Sequence, residues 1–183
     1  MTQIMRQMPT GLEERIWGLL QEVKDPEIPV ISMIEMGMIH RVVVDESVVE
    51  VEVLPTFIGC PALELMRSEI QEKLLSIEEV REAIVHFLRE PAWISDRISD
   101  EGREKLRSFG IVAPPRGCTP GEDWKVRCPY CDSPYTRMDN MFGPAACRSI
   151  LYCRHCKKSV RSFESVVSRL LHGVFFVWRF NAL

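Results

Sequence analysis

Val48-Val-Glu-Val-Glu-Val-Leu-Pro-Thr-Phe-Ile-Gly-Cys-Pro61 is the stretch on which the fold turns. Val49, Val51 and Val53 alternate with Glu50 and Glu52, which predicts a half-buried strand over residues 48–54. Pro55 to Gly59 reads as a loop. Pro61 suits the first position of a new helix, where its missing N–H costs nothing. Leu63, Met66, Ile70 and Leu74 then recur at helical spacing. A strand thus runs through a short loop into a helix, with Cys60 at the junction.

The flanking segments extend this unit. Ile39 to Val44 reads as a strand and Asp45-Glu46-Ser47 as a turn, so the two strands form a β-hairpin. Earlier, Thr10 and Glu13 have capping-box spacing. Leu12, Ile16, Leu19 and Val23 follow on one face of a predicted helix over residues 11–24, which Asp25-Pro26 should end. Val80 to Leu88 reads as a third strand, and Ser99 to Phe109 as a helix stopped by Gly110. The order α-β-β-α-β-α predicts a small α+β sandwich of about 110 residues.

The chain has 183 residues, 46% hydrophobic and 27% charged, which excludes global disorder. Its net charge of -3 excludes a general polycation. The charge is uneven: residues 1–123 carry 13 basic and 23 acidic side chains, whereas residues 124–164 carry eight basic and three acidic ones. The shift follows the Pro- and Gly-rich stretch from Ala113 to Gly121, read as a linker. The longest apolar run in the tail, Val174 to Trp178, is far short of a membrane span. No targeting signal is visible at Met1 to Met8, so a soluble cytoplasmic protein is expected.

Seven cysteines are too few for a disulfide scaffold, and four of them form two C-x-x-C pairs, Cys128-Pro-Tyr-Cys131 and Cys153-Arg-His-Cys156. Each tight turn places two thiolates about one tetrahedral edge apart, and four thiolates make a closed site suited to structural Zn²⁺. An iron centre and a redox dithiol are the weaker alternatives. Tyr135, Met138, Phe142 and Tyr152 are the expected ribbon core. Cys147 is either an additional metal ligand or a small buried strand residue, and His155 should point outward between two ligands. Cys118, in the linker, has no assigned role.

Cys60 precedes a helix whose N-terminus would lower a thiol pKa. It is read either as a structural cysteine or as a thiolate that binds a soft metal or cluster transiently. A Cys60 thiol enzyme would need His40 or His86 as base, and both fall in predicted strands, where a partly buried structural role is the plainer reading. Asp25-Pro-Glu27 is either a solvated helix stop or a loop whose carboxylates lie near Cys60.

Asp25-Pro-Glu-Ile-Pro29, Met36-Gly-Met-Ile39 and Pro55-Thr-x-x-Gly-Cys-Pro61 resemble the domain of SufT-like and related iron–sulfur assembly factors. The similarity continues through Pro91-Ala-Trp93, Ile98-Ser99, Glu101-Gly102, Lys105-Leu106 and Phe109-Gly-Ile111. It ends in the ribbon with Cys128-Pro-x-Cys131, Phe142-Gly143, Ala146-Cys147 and Cys153-x-x-Cys156. The whole arrangement resembles the PaaD family, accessory proteins of the phenylacetyl-CoA ring-epoxidase system. The resemblance implies an iron–sulfur assembly domain over residues 1–112, a linker over 113–126 and a zinc ribbon over 127–164. It implies iron or cluster handling by Cys60 with Asp25, Glu27 and Thr56, and zinc at Cys128, Cys131, Cys153 and Cys156. The implied partners are the oxygenase and reductase subunits of that complex, in aerobic phenylacetate catabolism. The implied role is a non-catalytic one in maturation of a metal centre; the alternative is a structural adaptor that docks oxygenase and reductase through the ribbon. Neither a membrane nor nucleic acid is an expected partner, and a homodimer is compatible with a small sandwich. Residues 165–183 continue past the resemblance with Leu170, Leu171, Val174, Phe175, Phe176, Val177 and Trp178. They are either an added docking helix or sequence from beyond the true gene end.

Overall fold

A computed structural model describes residues 11–117, 125–140, 143, 145 and 147–163. The expectations for Thr10, Cys118, Phe142, Ala146 and the tail 165–183 lie outside the described residues.

Three strands form the first sheet: β3 (Ile39–Asp45), β4 (Val48–Val53) and β5 (Glu82–Phe87). β4 is central, antiparallel to β3 and parallel to β5. The parallel step needs a crossover, supplied by α2 (Leu63–Leu75). Val49, Val51 and Val53 are fully buried, as their alternation predicts. Each contributes about 1.5–3 kcal/mol by transfer from water. They face Met66, Ile70 and Leu74 of α2 and Ile16 and Leu20 of α1 (Gly11–Glu22), all in one core. Leu20 rather than Leu19 joins Ile16 as a fully buried residue of α1. The architecture is α+β, as expected.

One element goes unpredicted by the sequence pattern. The Asp25-Pro-Glu27 stretch is not a solvated stop but the turn of a small antiparallel hairpin, β1 (Lys24–Asp25) with β2 (Ile28–Ser32). Beyond it, Met33, Met36 and Met38 are buried in a non-regular segment that the core closes over. Gly37 has φ +65°, and a Cβ there would collide with the Arg97 backbone. The collision marks a clamp: Trp93 Nε1 donates to the Met36 carbonyl at 2.9 Å, and Arg97 Nε donates to the Gly37 carbonyl at 2.6 Å. The motifs at 36–39 and 91–98 are thus two halves of one contact.

α3 (Asp100–Ser108) is capped by Ser99, whose hydroxyl accepts the Gly102 N–H at 3.0 Å. It ends at Gly110, with φ +80°. β6 (Ile111–Val112) follows at once, and here the chain changes sheets. β6 pairs in parallel with β9 (Ser159–Phe163), which continues to β8 (Arg148–Cys153) and β7 (Thr136–Asn140). A strand from the end of the first module therefore completes the sheet of the cysteine-rich one.

The two modules are joined by packing as well. Phe163 belongs to the main core and meets Trp93 with ring centroids 5.8 Å apart. Arg161 donates to the Phe109 carbonyl at 2.7 Å, and its guanidinium lies 5.0 Å from that ring's centroid. The second module's own core is small: Val126, Cys128, Leu151, Cys153 and Val160, with Val112 and Met138 beside them. The expected aromatic core fails at Tyr135, which is 70% exposed. The folded knuckles supply that core instead, so part of the apolar filling is the cysteine side chains themselves.

Candidate functional site

Two constellations of cysteine are built by different means. In the first, each C-x-x-C pair lies in a tight turn. Asp132 N–H donates to the Cys128 carbonyl at 2.8 Å, and Lys157 N–H donates to the Cys153 carbonyl at 3.0 Å. Asp132 and Lys157 adopt positive φ, 55° and 62°, to close those turns. The turns bring four Sγ atoms within 4.8 Å of one another. Cys128 lies 3.6 Å from Cys156, and Cys131 lies 3.7 Å from Cys153, sulfur to sulfur. A tetrahedron with metal–sulfur bonds of about 2.3 Å has edges of about 3.8 Å. The four cysteines therefore fit a single thiolate-bound metal ion.

The thiols of the cluster shift in opposite directions. The Cys156 and His155 backbone amides aim at Cys153 and pull its thiol down to about 6. Burial pushes Cys128 up to about 12, against the Tyr130 and Cys131 amides. His155 is exposed and outside the ligand set, as its position between two ligands predicts. Cys147 is outside it too.

The second constellation lies where the modules meet. Asp25 is buried, and its Oδ1 accepts the Glu27 and Ile28 N–H groups at 2.8 Å each, which shapes the β1–β2 turn. Burial raises the Asp25 carboxyl above its ordinary value. Glu27 Oε2 accepts from Arg148 Nη2 at 2.9 Å. Arg148 is only 4% exposed and comes from β8, in the other module. Cys147, its chain neighbour, is buried, and the Thr56 hydroxyl hydrogen-bonds to its thiol. Burial raises the Cys147 pKa; Arg148 opposes this, and Glu27 and Asp25 add to it.

Cys60 faces the same charged groups. It is half-buried in the turn that leads into α2; its N–H donates to the Phe57 carbonyl at 3.1 Å. α2 begins at Leu63, two residues later than Pro61 suggests. The expected lowering of the Cys60 pKa does not occur. Burial raises it; the Ala62 amide lowers it, but Glu27 and Asp25 raise it further. The helix end is outweighed by desolvation and two carboxylates. His40 and His86 are both exposed on their strands, not partly buried, and the groups acting on Cys60 are Glu27, Asp25 and Arg148 instead. Asp25, Glu27 and Arg148 thus act electrostatically on both Cys60 and Cys147, but among the described residues no three possible ligand atoms outside the four-cysteine cluster lie within 4.8 Å of one another. The missed residue is Arg148, which composition reads only as part of a basic surface.

Asp25 permits a prediction about stability. Its carboxyl titrates higher in the folded state than the ordinary 3.8, so its ionised form costs stability. That cost is absent below 3.8 and grows as pH rises through the folded value. Asn can accept the same two amide bonds. Asp25→Asn should therefore be at least as stable as the parent at neutral pH, with the advantage fading in acid. Denaturant melts of both proteins at neutral and acid pH check this; a variant that loses to the parent at neutral pH but not in acid would contradict it.

The match to known proteins divides between the two modules. Residues 113–164 match the PaaD zinc beta ribbon domain, and residues 13–86 match the iron–sulfur cluster assembly protein family. The chain is 34% identical over 153 residues to a putative 1,2-phenylacetyl-CoA epoxidase subunit of Escherichia coli, covering 82% of this chain and 92% of that one. The chain belongs to the PaaD family. The first module of this PaaD-family chain is also 31% identical over 93 residues to the Bacillus subtilis Fe-S protein maturation auxiliary factor YitW, covering 50% of this chain and 90% of that one. Among solved structures, a domain of unknown function, DUF59, from Bacillus anthracis is 28% identical, with a TM-score of 0.48 over 52% of this chain and 91% of that one. Among the described residues no helix is long and apolar enough to cross a membrane.

Proposed function

We propose that this PaaD-family chain is a non-catalytic accessory factor of a cytoplasmic phenylacetyl-CoA ring-epoxidase system, acting in maturation of an iron–sulfur or iron centre in a client protein. The observation that supports the reading is that the Asp25 and Glu27 carboxylates act on the Cys60 thiol, with no histidine acting on it among the described residues. A thiol raised in pKa is a poor nucleophile at neutral pH, but a metal displaces its proton. That favours a binding role over thiol catalysis. The names of the relatives, an epoxidase subunit and maturation auxiliary factors, support the same direction.

In this reading residues 1–112 carry the iron-handling site, and residues 127–164 form a ribbon closed by Zn²⁺ on Cys128, Cys131, Cys153 and Cys156. When bound, zinc supplies structure rather than chemistry, because all four positions are thiolates. The client is the oxygenase or the reductase of that system.

The test is a client made in cells beside either the parent chain or Cys60→Ser. Iron and acid-labile sulfide per client should fall several-fold with the variant, while zinc in the accessory chain stays unchanged. Full metal content in the client would overturn the maturation role and leave the adaptor.

A further inference from the structure

We propose that the outer edge of β3 is an interface between two copies of this chain. The two strands pair antiparallel about a twofold axis at Val43, so that two three-stranded sheets join into one. This interface stands apart from the maturation role, and neither needs the other.

The first sheet has two edges, and they are finished differently. The Leu88 N–H donates to the Val53 carbonyl at 2.9 Å, so Leu88 turns its backbone toward β4. Backbone groups alternate sides along a strand, so Ala83 and Val85 point out of the sheet. There α2 covers them: Gln71 Nε2 donates to the Ala83 carbonyl at 2.8 Å, and Arg67 Nη1 donates to the Val85 carbonyl. Along β3, Arg41, Val43 and Asp45 stand opposite Glu52, Glu50 and Val48. Val53 of β4 faces β5, so these even-numbered neighbours face β3 and bond those three residues. Val42 and Val44 therefore turn N–H and C=O to the outer edge. Among the described residues no strand pairs with that edge. On β3 itself Arg97 reaches the Ile39 carbonyl, at 3.5 Å, and the bulge lies between Ile39 and Arg41. Past it, Val42-Val-Val44 has neither the Pro nor the Lys that commonly guards an edge.

The edge is complementary to itself, which selects a second copy as its occupant. Setting Val42 of each chain opposite Val44 of the other lets the pair exchange both backbone hydrogen bonds. In that register Val43 meets Val43, and Arg41 of each chain meets Asp45 of the other. Val42 and Val44 pack against the core, so Arg41, Val43 and Asp45 share the opposite face of the sheet. Arg41 and Asp45 are both exposed there. Arg41 holds Glu52 through Nε and Nη2, which leaves Nη1 outside that pair. Sliding the strands by two residues sets Val43 against Arg41 or Asp45 and forfeits both charge pairs. Sliding by one turns the outward backbone groups away from each other.

The experiment is sedimentation equilibrium of the zinc-loaded full chain over a range of concentrations. One strand pair is a small interface, so a reversible dimer that dissociates on dilution is expected. Val43→Lys sets two ammonium groups face to face at the axis, and Asp45→Arg sets Arg against Arg41. Each should weaken the dimer at least about tenfold. Zinc content and melting temperature report whether the variants fold. Arg41→Asp should dissociate likewise, yet mixed with Asp45→Arg it should form heterodimers, because the charges then match at both ends. Amide exchange reads the edge directly. The Val42 and Val44 N–H groups should be protected in the dimer and exchange after dilution, while the Val43 N–H, bonded to β4, stays protected throughout. A parent that remains monomeric up to about 1 mM would overturn the interface. So would a dimer that persists in both Val43→Lys and Asp45→Arg, which places the contact elsewhere. Val42 and Val44 amides protected in the monomer would overturn it too, because the chain's own residues would then cover the edge.

Discussion

Cys128→Ser is expected to empty the four-cysteine site and unfold the ribbon. Closed zinc sites are worth about 10–16 kcal/mol in small peptides, far more than the five-residue apolar cluster of this module can replace. The damage should not stay local. β9 pairs with β6, and Phe163 lies in the main core, so loss of the ribbon withdraws a large side chain and a strand partner from the assembly module. Metal analysis together with a thermal melt checks this. The expected outcome is no zinc and a melting transition lowered for the whole chain. A zinc-free variant with the parent's melt would show that packing alone holds the ribbon.

Phe163→Ala isolates the packing from the metal. The side chain is 2% exposed and stacks at a tilt on Trp93. Truncating a buried Phe costs about 3–5 kcal/mol. Zinc should remain, because the four ligands keep their turns. Denaturant unfolding gives the loss, and Trp93 fluorescence should change with it, since that indole also holds the Met36 carbonyl. A loss below about 1 kcal/mol would mean that the site collapses around the gap.

The parts of this protein that local pattern controls are legible in its sequence. The alternation through Val49, Val51 and Val53 locates the central strand, and the spacing of Cys128, Cys131, Cys153 and Cys156 locates the metal cluster. Ser99 and Gly110 bracket their helix by capping chemistry that acts over a few residues. What local pattern does not control is harder to read. Two prolines conceal the β1–β2 hairpin, because proline ordinarily demotes a strand and here sits in its turn and on an exposed position. Ile111-Val112 is too short to announce a strand and becomes one only because β9 arrives beside it. Arg148 looks like surface charge until Glu27, 121 positions earlier, is seen to pair with it. The Cys60 pKa departs from expectation for the same reason: the helix start is local, whereas the carboxylates and the burial that outweigh it come from elsewhere.

The pairing of β6 with β9 bears on the order of synthesis. Ile111 is made about fifty residues before its partner Arg161. Until residues 159–163 leave the ribosome, β6 is an unpaired edge and the place of Phe163 in the main core is vacant. The nascent assembly module thus waits, incomplete, for the last strand of the ribbon. A chain halted before residue 159 would therefore carry an open sheet edge and a gap in its main core.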